Sequence, residues 1–285
     1  MHFVVCLKQV PDSAQIRVHP VTNTIMRQGV PSVINPYDLF ALEEALRLRD
    51  RVGDAVVTVV TMGPPMAEDS LRKALVYGAD RAVLLTDRQF AGSDTLATTF
   101  ALASAIRKIG EMWGAPHVVF TGKQTIDGDT AQVGPGIAKR LDYNQLTYVS
   151  NISSFDAEAG TIVVERRAEG GVQVLSTKLP VLITMLEDSN EIRRGTMDDA
   201  LRAAQADIVK WSAADAGIED VSRCGLRGSP TVVKKVFAPS ARAERAHQIP
   251  VTGRSWSELA ADTIEAIFAR GPALETELLA RTEGM

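Results

Sequence analysis

Gly122-Lys123-Gln124-Thr125-Ile126-Asp127-Gly128-Asp129-Thr130-Ala131-Gln132-Val133-Gly134-Pro135 is the stretch on which the reading of this chain turns. Before it stands an apolar run, His117-Val118-Val119-Phe120, set between Pro116 and Thr121, which reads as a buried strand. After it, Ile137-Ala138-Lys139-Arg140-Leu141 reads as helix. The polar linker between them is far longer than the ~2–6 residues of a bare βα turn. Such a loop, at the carboxyl end of a strand and feeding a helix, is where open α/β sheets bind nucleotides, because backbone N–H groups there are free to hold phosphate. A long surface loop with ordinary turn chemistry is an equal reading. The stretch has neither the Rossmann glycine spacing nor the Gly-Lys-Ser/Thr ending of a phosphate loop.

The flanking pattern is a succession of strand-plus-helix units. Phe3-Val4-Val5-Cys6-Leu7, the β-branched run Val56 to Met62, and Ala82-Val83-Leu84-Leu85 are continuous apolar segments, as expected of strands buried on both faces of a parallel sheet. Lys8 to Asp12 is a turn-prone exit on which a ligand can rest, and Ile16 to Val18 with Ile25 to Arg27 reads as a small hairpin turning at Pro20 to Thr24. Asn35-Pro36-Tyr37-Asp38 starts a helix: Asn35 suits the N-cap, Pro36 the first helical position, and Asp38 the positive end of the dipole. Helices from about Ala67 to Val76, with Gly78 as cap, and from Ser93-Asp94-Thr95 to Ile109 complete the alternation. The fold class is therefore α/β, a doubly wound and mostly parallel sheet with right-handed crossovers.

After Leu141 the pattern changes. Residues 150–178 alternate around Asp156 to Gly160 and Gly170-Gly171 as an antiparallel meander, and Val181 to Met185 returns to the sheet. A helix follows from Met197 to Ala206. Residues 1–205 thus form the α/β domain, while 206–285, with an irregular Cys224 to Pro230, a strand at Val232 to Phe237 and a helix at Trp256 to Ala269, read as an arm built to wrap a partner.

Composition removes several classes. A formal charge of −4 offers no footprint for nucleic acid. Two cysteines cannot make a disulfide framework, and four scattered histidines supply no metal-ligand spacing. No apolar run approaches the ~20 residues that cross a bilayer, and no signal peptide precedes the first strand, so the expected location is the cytoplasm, with no membrane insertion.

Taken in order, Lys8-Gln9-Val10-Pro11-Asp12, Asn35-Pro36-Tyr37-Asp38 with Ala41-Leu42-Glu43-Glu44-Ala45, Met62-Gly63-Pro64, Gly78-Ala79-Asp80, the long loop and Lys178-Leu179-Pro180 resemble the β subunit of electron-transfer flavoproteins. The loop from Thr125 to Pro135 and the tail Cys224 to Pro230 look most like the Fix-type members linked to nitrogen fixation. The resemblance implies an adenine-nucleotide-binding sandwich, an α subunit carrying an FAD, and a nucleotide held by Cys6, Lys8, Asn35, Pro36, Tyr37, Asp38, Met62, Gly63, Gly122, Thr125 and the run Asp127 to Pro135. Within that run, loop N–H groups and Thr130 would hold the pyrophosphate, with Gly134 needed for close approach to it. Housekeeping members carry AMP there on a loop closer to Asp-Asp-Asp-x-Asn-Gln-Thr-Gly. Gly128 and the small Ala131 depart from that pattern, as in the electron-bifurcating branch, whose β site holds a second FAD.

The implied chemistry is hydride transfer from NADH, with electrons passing to a quinone oxidoreductase and to ferredoxin or flavodoxin that feeds nitrogenase. No side chain need act as acid, base or nucleophile, and no metal is implied. Tyr37 matches a position near the α-subunit flavin. Asn190, Glu191, Arg193, Arg194 and Met197 match the recognition loop through which the family docks partner dehydrogenases, with Met197 as the exposed apolar residue. Two alternatives stand beside this reading: a plain electron carrier with structural AMP, and an ATP- or AMP-binding stress module needing no α subunit.

Overall fold

The computed structural model describes residues 1–12, 17–18, 25–26, 31–231 and 248–271, together with 273, 274, 276 and 280. Along the chain the elements are β1 (His2–Cys6), β2 (Gln9–Pro11), β3 (Arg17–Val18), β4 (Ile25–Met26), β5 (Ser32–Ile34), α1 (Pro36–Val52), β6 (Val56–Met62), α2 (Glu68–Tyr77), β7 (Arg81–Leu85), α3 (Thr95–Trp113) and β8 (Val118–Gly122). They continue as α4 (Val133–Leu141), β9 (Asn144–Asp156), β10 (Thr161–Ala168), β11 (Gly171–Lys178), β12 (Val181–Met185), α5 (Met197–Gln205), β13 (Ile208–Trp211) and α6 (Trp256–Arg270). The short β3–β4 pair is antiparallel, as expected of the hairpin, while its turn at Pro20 to Thr24 and the strand expected at Val232 to Phe237 lie outside the described residues.

Nine strands form one sheet in the order β11-β10-β9-β12-β8-β1-β6-β7-β13. The chain starts at the centre and winds outward in both directions, and every contact among β12, β8, β1, β6, β7 and β13 is parallel. β1 is buried on both faces, which is why it is apolar from Phe3 to Cys6, and its buried His2 has hydrogen-bond partners in the Gly114 carbonyl and the Thr58 hydroxyl. Phe3, Val5 and Leu7 face a core shared with α1, α2 and α5, whereas Val4 and Cys6 face a second core under α3 and α4. In the first core Phe3 meets Phe120 and Phe155 edge-on, at ring distances of 6.4 and 6.0 Å, which ties the meander to the parallel sheet.

The stretch after α5 supplies β13, paired with β7 from Ile208 opposite Ala82 to Trp211 opposite Leu85. It also buries Trp211, Ala213, Ala216, Ile218 and Cys224 in the second core. The first compact unit therefore runs past residue 205, to Phe237. A four-residue edge strand has too few positions to show a periodicity, and this one hides inside a polar segment. The second unit, Ala238–Met285, holds α6, whose N-terminus is closed by a reciprocal capping box between Ser255 and Glu258. Trp256, Ile264 and Ile267 are exposed on it. Among the described residues no helix is long and apolar enough to cross a membrane.

Candidate functional site

Parallel register sets the carboxyl ends of β6, β1, β8 and β12 side by side. One buried carboxylate locks two of those ends to α1. Asp38 accepts the Lys8 N–H at 2.8 Å and the Gly122 N–H at 3.1 Å, so the exit of β1 and the last residue of β8 are held at the first turn of the helix. Burial pushes its carboxyl up to about 7, against the pull of Asn35, the two N–H groups and the Lys8 charge. Asn35 occupies the N-cap position without capping the helix. Its side chain instead clasps the long loop, donating to the Gln124 carbonyl at 2.9 Å and accepting the Ile126 N–H at 3.2 Å. Asn35 and Asp38 thus hold backbone together, a role that their helix-start pattern does not announce.

The loop is also latched from the β1 side. Lys8 Nζ lies 2.7 and 2.8 Å from the two carboxylate oxygens of Asp127. Burial raises the Asp127 pKa, but the Lys8 ammonium and the Thr125 hydroxyl outweigh it and the net shift is downward. The latch is therefore complete above the usual carboxylate range and is lost as pH falls through the depressed value. Both groups are partly exposed, so Lys8→Met is expected to cost no more than about 1 kcal/mol of stability. It should nevertheless weaken binding of a phosphate-bearing ligand several-fold, which equilibrium dialysis of the nucleotide-stripped protein would read.

Past Asp127 the backbone turns tightly. The Thr125 carbonyl accepts the N–H groups of Gly128 and Asp129, and Asp129 and Ala131 both adopt the left-handed region, at φ 51° and 53°. Such residues are uncommon outside glycine and cluster where a loop is shaped for function. α4 then begins at Val133, earlier than the apolar run at Ile137 suggests, because Val133, Gly134 and Pro135 form its first turn. Gln132 at its N-cap supplies no side-chain cap and instead accepts the Thr95 hydroxyl at 2.8 Å. The N–H groups of Val133 and Gly134, the two in a first turn that includes Pro135, have no side-chain cap and lie beside the left-handed loop.

Gly134 is required by a contact other than the expected one. A Cβ there would sit 2.7 Å from Thr184 Cγ2 and 2.9 Å from Thr121 Oγ1. The close approach is of α4 to its own sheet, and phosphate need not be invoked for it.

The remaining expected residues fall around this centre. Met62 and Gly63 end β6 next to β1, and Gln9 reaches the following turn through the Met66 carbonyl at 3.2 Å. Tyr37 carries the Lys123 ammonium over its ring at 4.9 Å, and Lys123 in turn pairs with Glu187 at 2.9 Å. Lys123 sits in the quoted loop, yet only its placement marks it out. Cys6 lies among apolar side chains of the second core, where burial and the neighbouring Asp38 charge raise its thiol pKa. That is the placement of a packing residue.

The residues expected to dock a partner divide into anchors and exposed groups. Asn190 donates to the Phe40 carbonyl at 3.0 Å, and Arg193 pairs with Glu43 at 2.9 Å and Asp50 at 3.0 Å. Glu191, Arg194 and Met197 face solvent, Met197 being 75% exposed at the start of α5. Gly195 passes so close to α2 that a Cβ would lie 2.4 Å from Val76 Cγ1. Arg193→Ala leaves the buried Glu43 carboxylate without its cation. A stability loss of about 2 kcal/mol is expected, measured as the shift in thermal midpoint.

Comparison with known proteins gives the family. A family model for the electron transfer flavoprotein domain matches residues 22–216. The chain is 72% identical to Protein FixA of Azorhizobium caulinodans over 286 residues, covering 100% of both. It is 69% identical to Protein FixA of Sinorhizobium fredii over 278 residues, 98% of this chain and 97% of that one. Electron transfer flavoprotein subunit beta of Clostridium acetobutylicum is 47% identical over 235 residues, 82% of this chain and 87% of its own length. The chain belongs to the electron-transfer flavoprotein family, as a β subunit of the Fix type.

Proposed function

We propose that the crevice at the carboxyl ends of β1, β6 and β8 holds FAD. In complex with the α subunit and its own FAD, the protein would take electrons from NADH in the cytoplasm. It would divide them between a quinone oxidoreductase and a ferredoxin or flavodoxin that supplies nitrogenase. The observation that carries the reading is the uncapped amino end of α4, entered through left-handed Asp129 and Ala131. Free N–H groups and the positive end of a helix dipole are what a pyrophosphate requires.

FAD, when bound, supplies the capacity to accept a hydride and release its electrons singly. The chain's own residues supply the rest. The first turn of α4 and the Thr130 hydroxyl hold the phosphates, and Lys8 offsets their charge by sharing itself between Asp127 and the ligand. Asp38 and Asn35 keep the loop at its working distance from the strand ends. Room for the larger nucleotide is supported at Gly128, where an added Cβ would touch only Thr125 Oγ1, at 3.5 Å. The likeness to proteins named FixA supports the Fix branch over a housekeeping carrier. Anaerobic titration of the purified αβ complex with NADH tests the proposal. Bleaching of the flavin absorption band is expected, and an unchanged spectrum would support a carrier with structural AMP instead.

A further inference from the structure

A second polar feature lies away from the nucleotide crevice. Phe100 and Arg107 of α3, Lys139 and Arg140 of α4, and Arg223 of the short turn Val221–Arg223 line an open cleft of about 360 Å³. Four cations from three elements therefore meet on one surface of a chain whose formal charge is −4. Three of them have neutral partners. Arg140 donates to the Thr99 hydroxyl and the Leu96 carbonyl, each at 3.0 Å, and Arg107 donates to the Arg140 carbonyl. The Arg223 guanidinium lies 3.9 Å from the Phe100 ring centre.

Glu111 pairs with Lys108 at 3.1 Å, and Asp220 accepts the Ser222 N–H at 3.1 Å while lying in the field of Arg223. Burial first, and then the charges of Arg223 and Arg107, disfavour the charged form of Arg140, so these cations repel one another.

We propose that this cleft docks a carboxylate-rich surface of a partner protein. A small phosphate is the poorer match. Lys139 and Arg140 stand in the last turn of α4, where carbonyls rather than N–H groups face out, so the cleft has no backbone N–H cradle for a small ion and meets a partner through long side chains alone. The long side chains of Arg107, Lys139 and Arg223, exposed on an open surface of an otherwise acidic protein, do suit an extended acidic face. They would orient it on approach and release it readily, giving a fast and salt-sensitive contact. The proposal is independent of which nucleotide the crevice holds.

The test uses the purified αβ complex and a fluorescein-labelled oligoglutamate peptide, read by anisotropy at low and at physiological salt. Saturable binding that weakens with salt is expected. Lys139→Glu should weaken it about tenfold, whereas Lys73→Glu, the same charge change on exposed α2, should alter it less than about twofold. Arg223→Gln is the second variant, should Lys139→Glu fold poorly. No saturable binding, equal losses in the Lys139 and Lys73 variants, or displacement by inorganic phosphate at matched ionic strength would each overturn the proposal.

Discussion

Gly122→Ala is expected to empty the nucleotide crevice of the αβ complex while the α-subunit flavin stays bound, and to destabilise the fold by about 3 kcal/mol or more. An added Cβ would lie 2.6 Å from Asp38 Oδ1, 2.6 Å from Tyr37 Cβ and 2.7 Å from the Tyr37 carbonyl carbon. All three belong to the first turn of α1, and the two of Tyr37 are fixed to its backbone and cannot swing aside as a flexible side-chain end would. Either β8 or α1 must move, and the hydrogen bond from the Gly122 N–H to Asp38 is the first to break. Nucleotide content and thermal midpoint of the variant complex, compared at equal protein concentration, check both halves of the expectation. Gly128→Ala is the contrasting case. It meets only ordinary contact, so stability should change by less than about 0.5 kcal/mol, and any loss of nucleotide then reports the ligand's own size.

Asp38→Ala carries the second large effect. It leaves the N–H groups of Lys8 and Gly122 without their acceptor, at an expected cost of about 2–4 kcal/mol. The wild-type group also makes stability depend on pH. Its folded pKa of about 7 lies above its ordinary value of 3.8. Between those values the folded chain keeps a proton that the unfolded chain has lost. Stability therefore falls as pH rises through the window, by on the order of 4 kcal/mol. Asp38→Asn should flatten that dependence, because its side chain is neutral throughout. Thermal midpoints measured at about pH 5 and pH 8 would show a smaller difference in the Asn variant than in the wild type. An equal difference would assign the pH dependence to another group.

The parallel sheet is legible in the sequence because strands buried on both faces are dominated by apolar residues, as β1, β8 and β12 are, with His2, Thr121, Gly122 and Thr184 the departures from the run. Helix starts are legible where a side chain caps, as Asp94 does for the Ala97 N–H at 3.0 Å. The start of α4 is not, since its first turn is Val133-Gly134-Pro135 and no capping side chain precedes it. An uncapped start of this kind is what the proposed phosphate contact requires. β13 escapes notice for a plainer reason, being short and set at a sheet edge.

At the site, residue identity and residue role separate. Asn35 and Asp38 are marked by the helix-start pattern and by the resemblance, but their side chains grip backbone from β1, β8 and the loop. Those partners are 30 to 91 residues away in sequence, and no local pattern encodes them. The same holds for Glu43 and Arg193, two ordinary charges until the fold pairs them across 150 residues.

The nucleotide content of the purified αβ complex tests the central claim most directly. Released cofactors, separated and quantified against protein, are expected to be two FAD per heterodimer with no AMP. One FAD with one AMP per heterodimer would contradict the assignment of a flavin to the crevice of this subunit.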